Sequence, residues 1–178
     1  AKILGVKDVR FLPFEDGGMY DEVALRIEIA KVIAEIKPDV VIGPDHKLYP
    51  ESHPDHLRVG EAVSKAYFMC SNVNMMKSVG ATQIAKPTVL AYYFTGKPNR
   101  FVKITKKDFE KTKAAYACFV SQCPPPDNGK SLMLYMRLKV RLNGLRSFHI
   151  RADAFRVMNN MHIHCCGEAE DTAIRRPL

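Results

Sequence analysis

The chain has 178 residues, 47% hydrophobic and 26% charged, with a formal net charge of +8. These are the proportions of an ordinary globular protein, and the length suits one domain over 1–178 with a sizeable core. No apolar run reaches the roughly 20 residues a bilayer span needs, and the opening AKILGVKDVR lacks a secretory pattern, so a cytoplasmic protein is expected.

Reading along the chain, Val9 to Phe14 (VRFLPF) is expected to be a short strand, closed by a turn at EDGG. From Asp21 to Ile36, apolar residues Val23, Ile27, Ala30, Ile33 and Ala34 recur at helical spacing. Asp21 is the N-terminal cap of that helix and Pro38 stops it. DVVIGPD (Asp39 to Asp45) is a continuous apolar run closed by turn residues, the pattern of a parallel strand buried on both faces. Pro54 then opens a second helix carrying Leu57, Val59, Ala62, Val63 and Ala66 in helical order. TVLAYYF, FVKIT and RADAFRVM read as further strands, Lys106 to Val120 and Ser131 to Leu142 as helices, and Val73 to Lys86 as a loop. The alternation of strand and helix is that of an α/β sheet. The polar tail from Cys165 to Leu178 is expected to be disordered.

Between the second strand and its helix lies Pro50–His56, PESHPDH, with two histidines and two carboxylates. In open α/β sheets, ligands bind in the crevice beyond the carboxyl ends of the strands. His53, Asp55 and His56 fall within one helical turn of each other there. The helix dipole at this position disfavours a protonated imidazole, and a neutral imidazole is what a metal ion requires. Asp55 stands close enough to hold one histidine's tautomer. An HxxH pair at a helix start also suits a cap with a surface histidine, and spacing alone leaves both readings open.

The stretch PDVVIGPD…SHPDH..VGEAVSKA resembles the second signature of the LmbE/PIG-L family of zinc-dependent N-acetylglucosaminyl deacetylases. LGVKDVRFLPFEDGGM, FVKITKKDFEKTKAAYACFVSQ and RADAFRVM are similar to further pieces of that family, so the resemblance covers about Ala1 to Met158. It implies a Rossmann-like, mostly parallel sheet flanked by helices, and hydrolysis of an acetamide on an amino sugar. It also implies Zn2+ on His56, an oxyanion-stabilising role for His53, and Asp55 orienting that imidazole. The acetylated substrate implied is a disaccharide, glycolipid headgroup, thiol precursor or antibiotic intermediate.

Two departures stand against the family pattern. The N-terminal HPDDE motif, which carries two zinc ligands and the general base, is absent, so a truncated domain lacking its first strand is expected. A catalytic zinc commonly has three protein ligands and this motif supplies one. Such a chain is expected to bind zinc weakly, to turn over little, and to associate with itself through the uncovered sheet edge. The family's H-x-S-Q reads here as Phe119-Val120-Ser121-Gln122.

Asp45 and His46, also beyond the strand end, are replacement ligand candidates. His162, His164, Cys165 and Cys166 (MHIHCC) offer an alternative, a non-catalytic metal or interaction module; surface or core histidines with free thiols are the plainer reading. Five irregularly spaced cysteines suit a reduced protein. A nucleic-acid partner is not expected, because the basic residues are scattered at helical spacing without an aromatic–basic motif.

Overall fold

The computed structural model describes residues 1–164. Its first long helix, α1 (Glu22–Ile36), begins where Asp21 accepts hydrogen bonds from the backbone amides of Val23 and Ala24, and ends at Lys37, which adopts φ 53° before Pro38. The strand β1 (Val40–Pro44) follows, then α2 (Pro54–Met69) with proline in its first turn. Proline is favoured there because its missing N–H would have no partner inside the helix. A short helix, α3 (Val73–Ser78), is held by Asn72, whose side chain accepts from the Asn74 and Met75 amides. Then come β2 (Val89–Tyr93), β3 (Arg100–Lys103), α4 (Lys106–Tyr116), α5 (Lys130–Arg146) and β4 (Ala152–Asn159).

The strand order is β1-β2-β4-β3. Strands β1 and β2 run parallel in the register Val40 to Val89 through Pro44 to Tyr93, while β4 runs antiparallel to β2. The α/β architecture is therefore present as a mixed sheet of four strands.

The described residues divide into two compact units, Ala1–Phe11 with Phe101–Ala154, and Leu12–Arg100 with the residues from Phe155 onward. In the first, α4 packs on a 3-10 turn at Lys2–Leu4 and starts with a capping box between Thr105 and Asp108. In the second, α1 packs on α2, and α2 on β1 and β2. Its core joins Ala30, Ile33 and Ala34 of α1 to Val63, Ala66 and Tyr67 of α2 and Leu90 and Tyr92 of β2. The Tyr67 hydroxyl inside this core donates to the Pro87 carbonyl at 2.8 Å, so its burial leaves no unpaired donor.

Several expectations are corrected. Val9 to Phe14 forms no strand; the segment is irregular, Phe11 is 92% exposed, and Pro13 removes a ladder donor. The run in β1 is buried on one face only, with Val40 47% and Ile42 55% exposed, because alternate residues point to opposite faces and α2 packs on the face of Val41. Within 73–86 a helix forms, and its run of six residues is too short to show by periodicity. The 106–120 helix stops at Tyr116, and the 131–142 helix extends to Arg146.

The site-bearing turn depends on a close approach between α2 and β1. A Cβ on Gly60 would run into the carbonyl oxygen of Pro44 and meet the Cβ of His46 at 3.1 Å. Helix propensity alone favours alanine over glycine by about 1 kcal/mol. Gly60→Ala is nonetheless expected to lose about 1–3 kcal/mol, since a backbone oxygen cannot move aside without shifting the strand end. Urea denaturation of the two proteins checks it; equal or greater stability in the variant would refute the contact.

Candidate active site

His53, Asp55 and His56 lie at the start of α2, with His53 in the N-cap position and no side-chain cap bond of its own. The structure brings the two imidazoles together, stacked at 4.6 Å between ring centroids and 23° between planes. The ring of Phe94, the residue after β2, stands 5.8 Å from that of His56. Phe94 adopts φ 52°, a conformation uncommon for a residue with a bulky side chain.

Asp55 and Arg58 of α2 tie down the turn before α1. The Asp55 carboxylate accepts from the Gly17 amide at 2.7 Å and the Gly18 amide at 2.9 Å. Arg58 donates to the Gly18 carbonyl and, at 3.4 Å, to that of Tyr20, and its guanidinium lies over the Tyr20 ring. Gly18 has φ 73°, and a Cβ there would come within 2.7 Å of the Cβ of Pro54. Only glycine fits this contact.

The clamp delivers Asp16. Among the described residues, Asp16, His53 and Asp55 form a group whose potential ligand atoms all lie within 4.8 Å of one another. The Gly17 amide above all, and a hydrogen bond shared with Asp16, bring the Asp55 carboxyl down to about 2. The Tyr20 hydroxyl, buried beside Asp55, is pushed up to about 12.

Asp55 lies 3.7 Å from Nδ1 of His53, too far for a good hydrogen bond. The closer carboxylate–imidazole pair is Glu51 with Nδ1 of His56, at 2.7 Å. That bond, with the amides of His53 and Ser52, brings the Glu51 carboxyl down to about 2. Imidazole and carboxylate donors are the ligand chemistry of zinc and other first-row ions, so the group of Asp16, His53 and Asp55 fits a metal ion, with His56 stacked on His53 beside it.

The other candidates are placed elsewhere. Asp45, 4% exposed, is held by Arg156 through two bonds of 2.6 and 3.0 Å. Burial pushes its carboxyl upward, but Arg156, Thr95 and the Lys47 amide outweigh that and hold it below the usual range. His46 packs edge-on against Tyr92, and burial with the nearby Arg156 lowers its basicity. A cavity of about 310 Å³ opens here, lined by Asp45, Lys47, Tyr49, Lys97 and Arg156 among others.

Strand β4 ends at Asn159, so His162 and His164 are not alternating strand residues. Nδ1 of His162 accepts from the Asn159 amide, and the His164 ring stacks on Phe68. Cys165 and Cys166 lie outside the described residues. Cys70, Cys118 and Cys123 are free thiols, and burial pushes that of Cys70 up to about 11. No described helix is long and apolar enough to cross a membrane.

Comparison with known proteins bears on what this turn belongs to. Residues 1–67, which include Asp16 and the whole of PESHPDH, match the family model described as PIG-L: GlcNAc-PI de-N-acetylase. Over that stretch the chain is similar to the PIG-L family. The resemblance drawn from the HPDH stretch is thus borne out. A diacetylchitobiose deacetylase of Thermococcus kodakarensis is 32% identical over 170 residues, taking in 93% of this chain and 62% of its own length. The chain therefore spans less than two thirds of that relative.

Among solved structures, the N,N'-diacetylchitobiose deacetylase of Pyrococcus horikoshii, in complex with its inhibitor MPG, superposes with a TM-score of 0.83 at 25% identity. The match covers 96% of this chain and 64% of that one. A conserved protein of Thermus thermophilus gives a TM-score of 0.68 at 24% identity, over 86% of this chain and 67% of its own, and shares the fold. The expected LmbE-like fold is present, but its sheet is mixed and not mostly parallel, since β4 runs antiparallel to β2.

Sequence reasoning misses Asp16 and Glu51. Asp16 reads as part of a turn, and nothing local distinguishes a turn aspartate from one carried to a distant helix. Glu51 stands inside the quoted motif, and its spacing of five from His56 is the available signal.

The depressed carboxyl of Asp55 fixes the sign of a pH effect. Its folded-state value of about 2 lies below its ordinary 3.8, so its stabilising contribution is present above the ordinary value. That contribution is lost as pH falls from there towards about 2. Asp55→Ala is expected to be less stable than the parent at neutral pH, with the gap closing across that acid window. Denaturation midpoints measured against pH check this; a gap independent of pH would refute it.

Proposed function

We propose that this PIG-L-like chain serves an N-deacetylase that hydrolyses the acetamide of an N-acetylglucosamine-type sugar with the help of zinc. The observation that carries the reading is the pair of stacked imidazoles at the α2 N-terminus, in a sequence 32% identical to a diacetylchitobiose deacetylase. In this reading His56 holds the metal, and Asp16, on the clamped turn, adds a carboxylate grouped with His53 and Asp55, beside the His56 ring that stacks on His53. Zinc bound there supplies Lewis-acid polarisation of the acetyl carbonyl.

The remaining work falls to the chain's own residues. His53, with its ring half exposed beside His56, donates from a ring nitrogen to the oxygen on which negative charge develops. Asp55, 3.7 Å from that ring, favours its charged form through its own negative charge, while its hydrogen bonds go to the Gly17 and Gly18 amides. Water adds to the acetyl carbon, the carbon–nitrogen bond breaks, and acetate and the free amine leave. The cavity beside Asp45 and Arg156, with Lys47 and Tyr49 at its wall, offers hydroxyl-binding groups for the sugar.

The test is acetate release from diacetylchitobiose and from N-acetylglucosamine by the zinc-loaded protein. His53→Ala is expected to keep its zinc and lose roughly 10²- to 10³-fold in kcat, the usual cost of removing one oxyanion donor. His56→Ala is expected to lose zinc. A zinc-loaded protein releasing no acetate from either sugar would refute the reading.

A further inference from the structure

Glu51 bonds to both histidine positions. Its Oε2 meets Nδ1 of His56 at 2.7 Å, while its Oε1 accepts from the backbone amides of Ser52 and His53, each at 2.9 Å. Its own amide closes a turn onto the Leu48 carbonyl at 3.1 Å. The side chain is 19% exposed against 41% for the His56 ring, so the carboxylate is the better-packed member of the pair.

The two amide bonds fix the carboxylate plane and so aim Oε2 at the imidazole. A carboxylate oxygen can only accept, which makes Nδ1 of His56 the protonated nitrogen and leaves the lone pair on Nε2. Asp55 provides no such constraint for His53, since its oxygens are spent on Gly17 and Gly18 and its nearest approach to that ring is 3.7 Å.

We propose that Glu51 is the positioning residue of this site: it holds His56 as the Nδ1–H tautomer, leaving Nε2 as the nitrogen for a metal ion, and by binding the His53 amide sets the entry of α2. The inference rests on the reading of His56 as a metal ligand. It explains why a histidine 41% exposed has a defined orientation. It also assigns the two carboxylates of PESHPDH different work, Glu51 to the ligand ring and Asp55 to the neighbouring turn.

The experiment begins without metal. Histidine-nitrogen NMR of the metal-free protein at alkaline pH, where imidazoles are neutral, reports which ring nitrogen carries the proton. The parent is expected to show His56 protonated on Nδ1. Glu51→Ala is expected to shift it to Nε2, and Glu51→Gln, whose amide oxygen still accepts, to restore Nδ1. Zinc affinity, measured by chelator competition, is expected to fall roughly 10- to 100-fold in Glu51→Ala and to recover in Glu51→Gln.

A parent protonated on Nε2, or a tautomer indifferent to Glu51→Ala, overturns the inference. So does zinc affinity that falls in His56→Ala but is kept in Glu51→Ala. Zinc affinity kept in both variants instead removes His56 from the metal, and the reading beneath the inference fails with it.

Discussion

One carboxylate accepting two consecutive backbone amides organises this site. Asp55, in the first turn of α2, takes the Gly17 and Gly18 N–H groups, and Arg58, one turn along, takes carbonyls from the same segment. The bonds are charge-assisted, and roughly twice as strong as neutral ones. They convert a glycine-rich turn with no secondary structure of its own into a fixed wall of the site. Without that clamp Asp16, an exposed residue, would not be held beside His53, and Asp21 would cap α1 from a turn free to wander. Gly18 is the steric condition for it, because the turn must pass against Pro54.

Around the clamp the acidic groups divide their work. Asp55 faces the turn, Glu51 faces the ring of His56 and the amide of His53, and Asp45 faces Arg156. Each is drawn below its ordinary range by hydrogen bonds it accepts. All three are therefore anionic at neutral pH, and Glu51 alone of them is hydrogen-bonded to a histidine ring. The buried Asp45–Arg156 pair, with the Arg156 guanidinium also over the Tyr92 ring, fills the end of the sheet and closes the floor of the cavity. A pair buried that deeply is costly to break from either side, since the survivor is left charged and desolvated. Its place is structural, and it removes Asp45 from the pool of ligands.

Much of the fold could be read directly from the residues. The apolar spacing of α1, its Asp21 cap, the β1 run and Pro54 at the head of α2 are local features. A local rule sufficed because a helix or strand is specified by neighbours within one or two turns. The rule failed for 9–14, an apolar-rich segment that forms no strand, and for the burial of β1, where the face bearing Val40 and Ile42 is left uncovered. Apolar content states what a segment can bury; which neighbours arrive to cover it depends on the rest of the chain.

The candidate site follows the same division. The sequence by itself determined that two imidazoles and a carboxylate would stand together at the head of a helix, beyond a strand end, in the setting of a PIG-L-type motif. Proline at the first helical position and the three-residue spacing of His53 and His56 fix that much. Only the tertiary structure decided which oxygen serves which nitrogen. Asp55 reaches back 38 residues to Gly17, and Asp45 is claimed by Arg156 from 111 residues away. Even Glu51, inside the motif, could have faced solvent. A charged side chain has several possible partners within reach, and the choice among them is made by packing that brings distant backbone into contact.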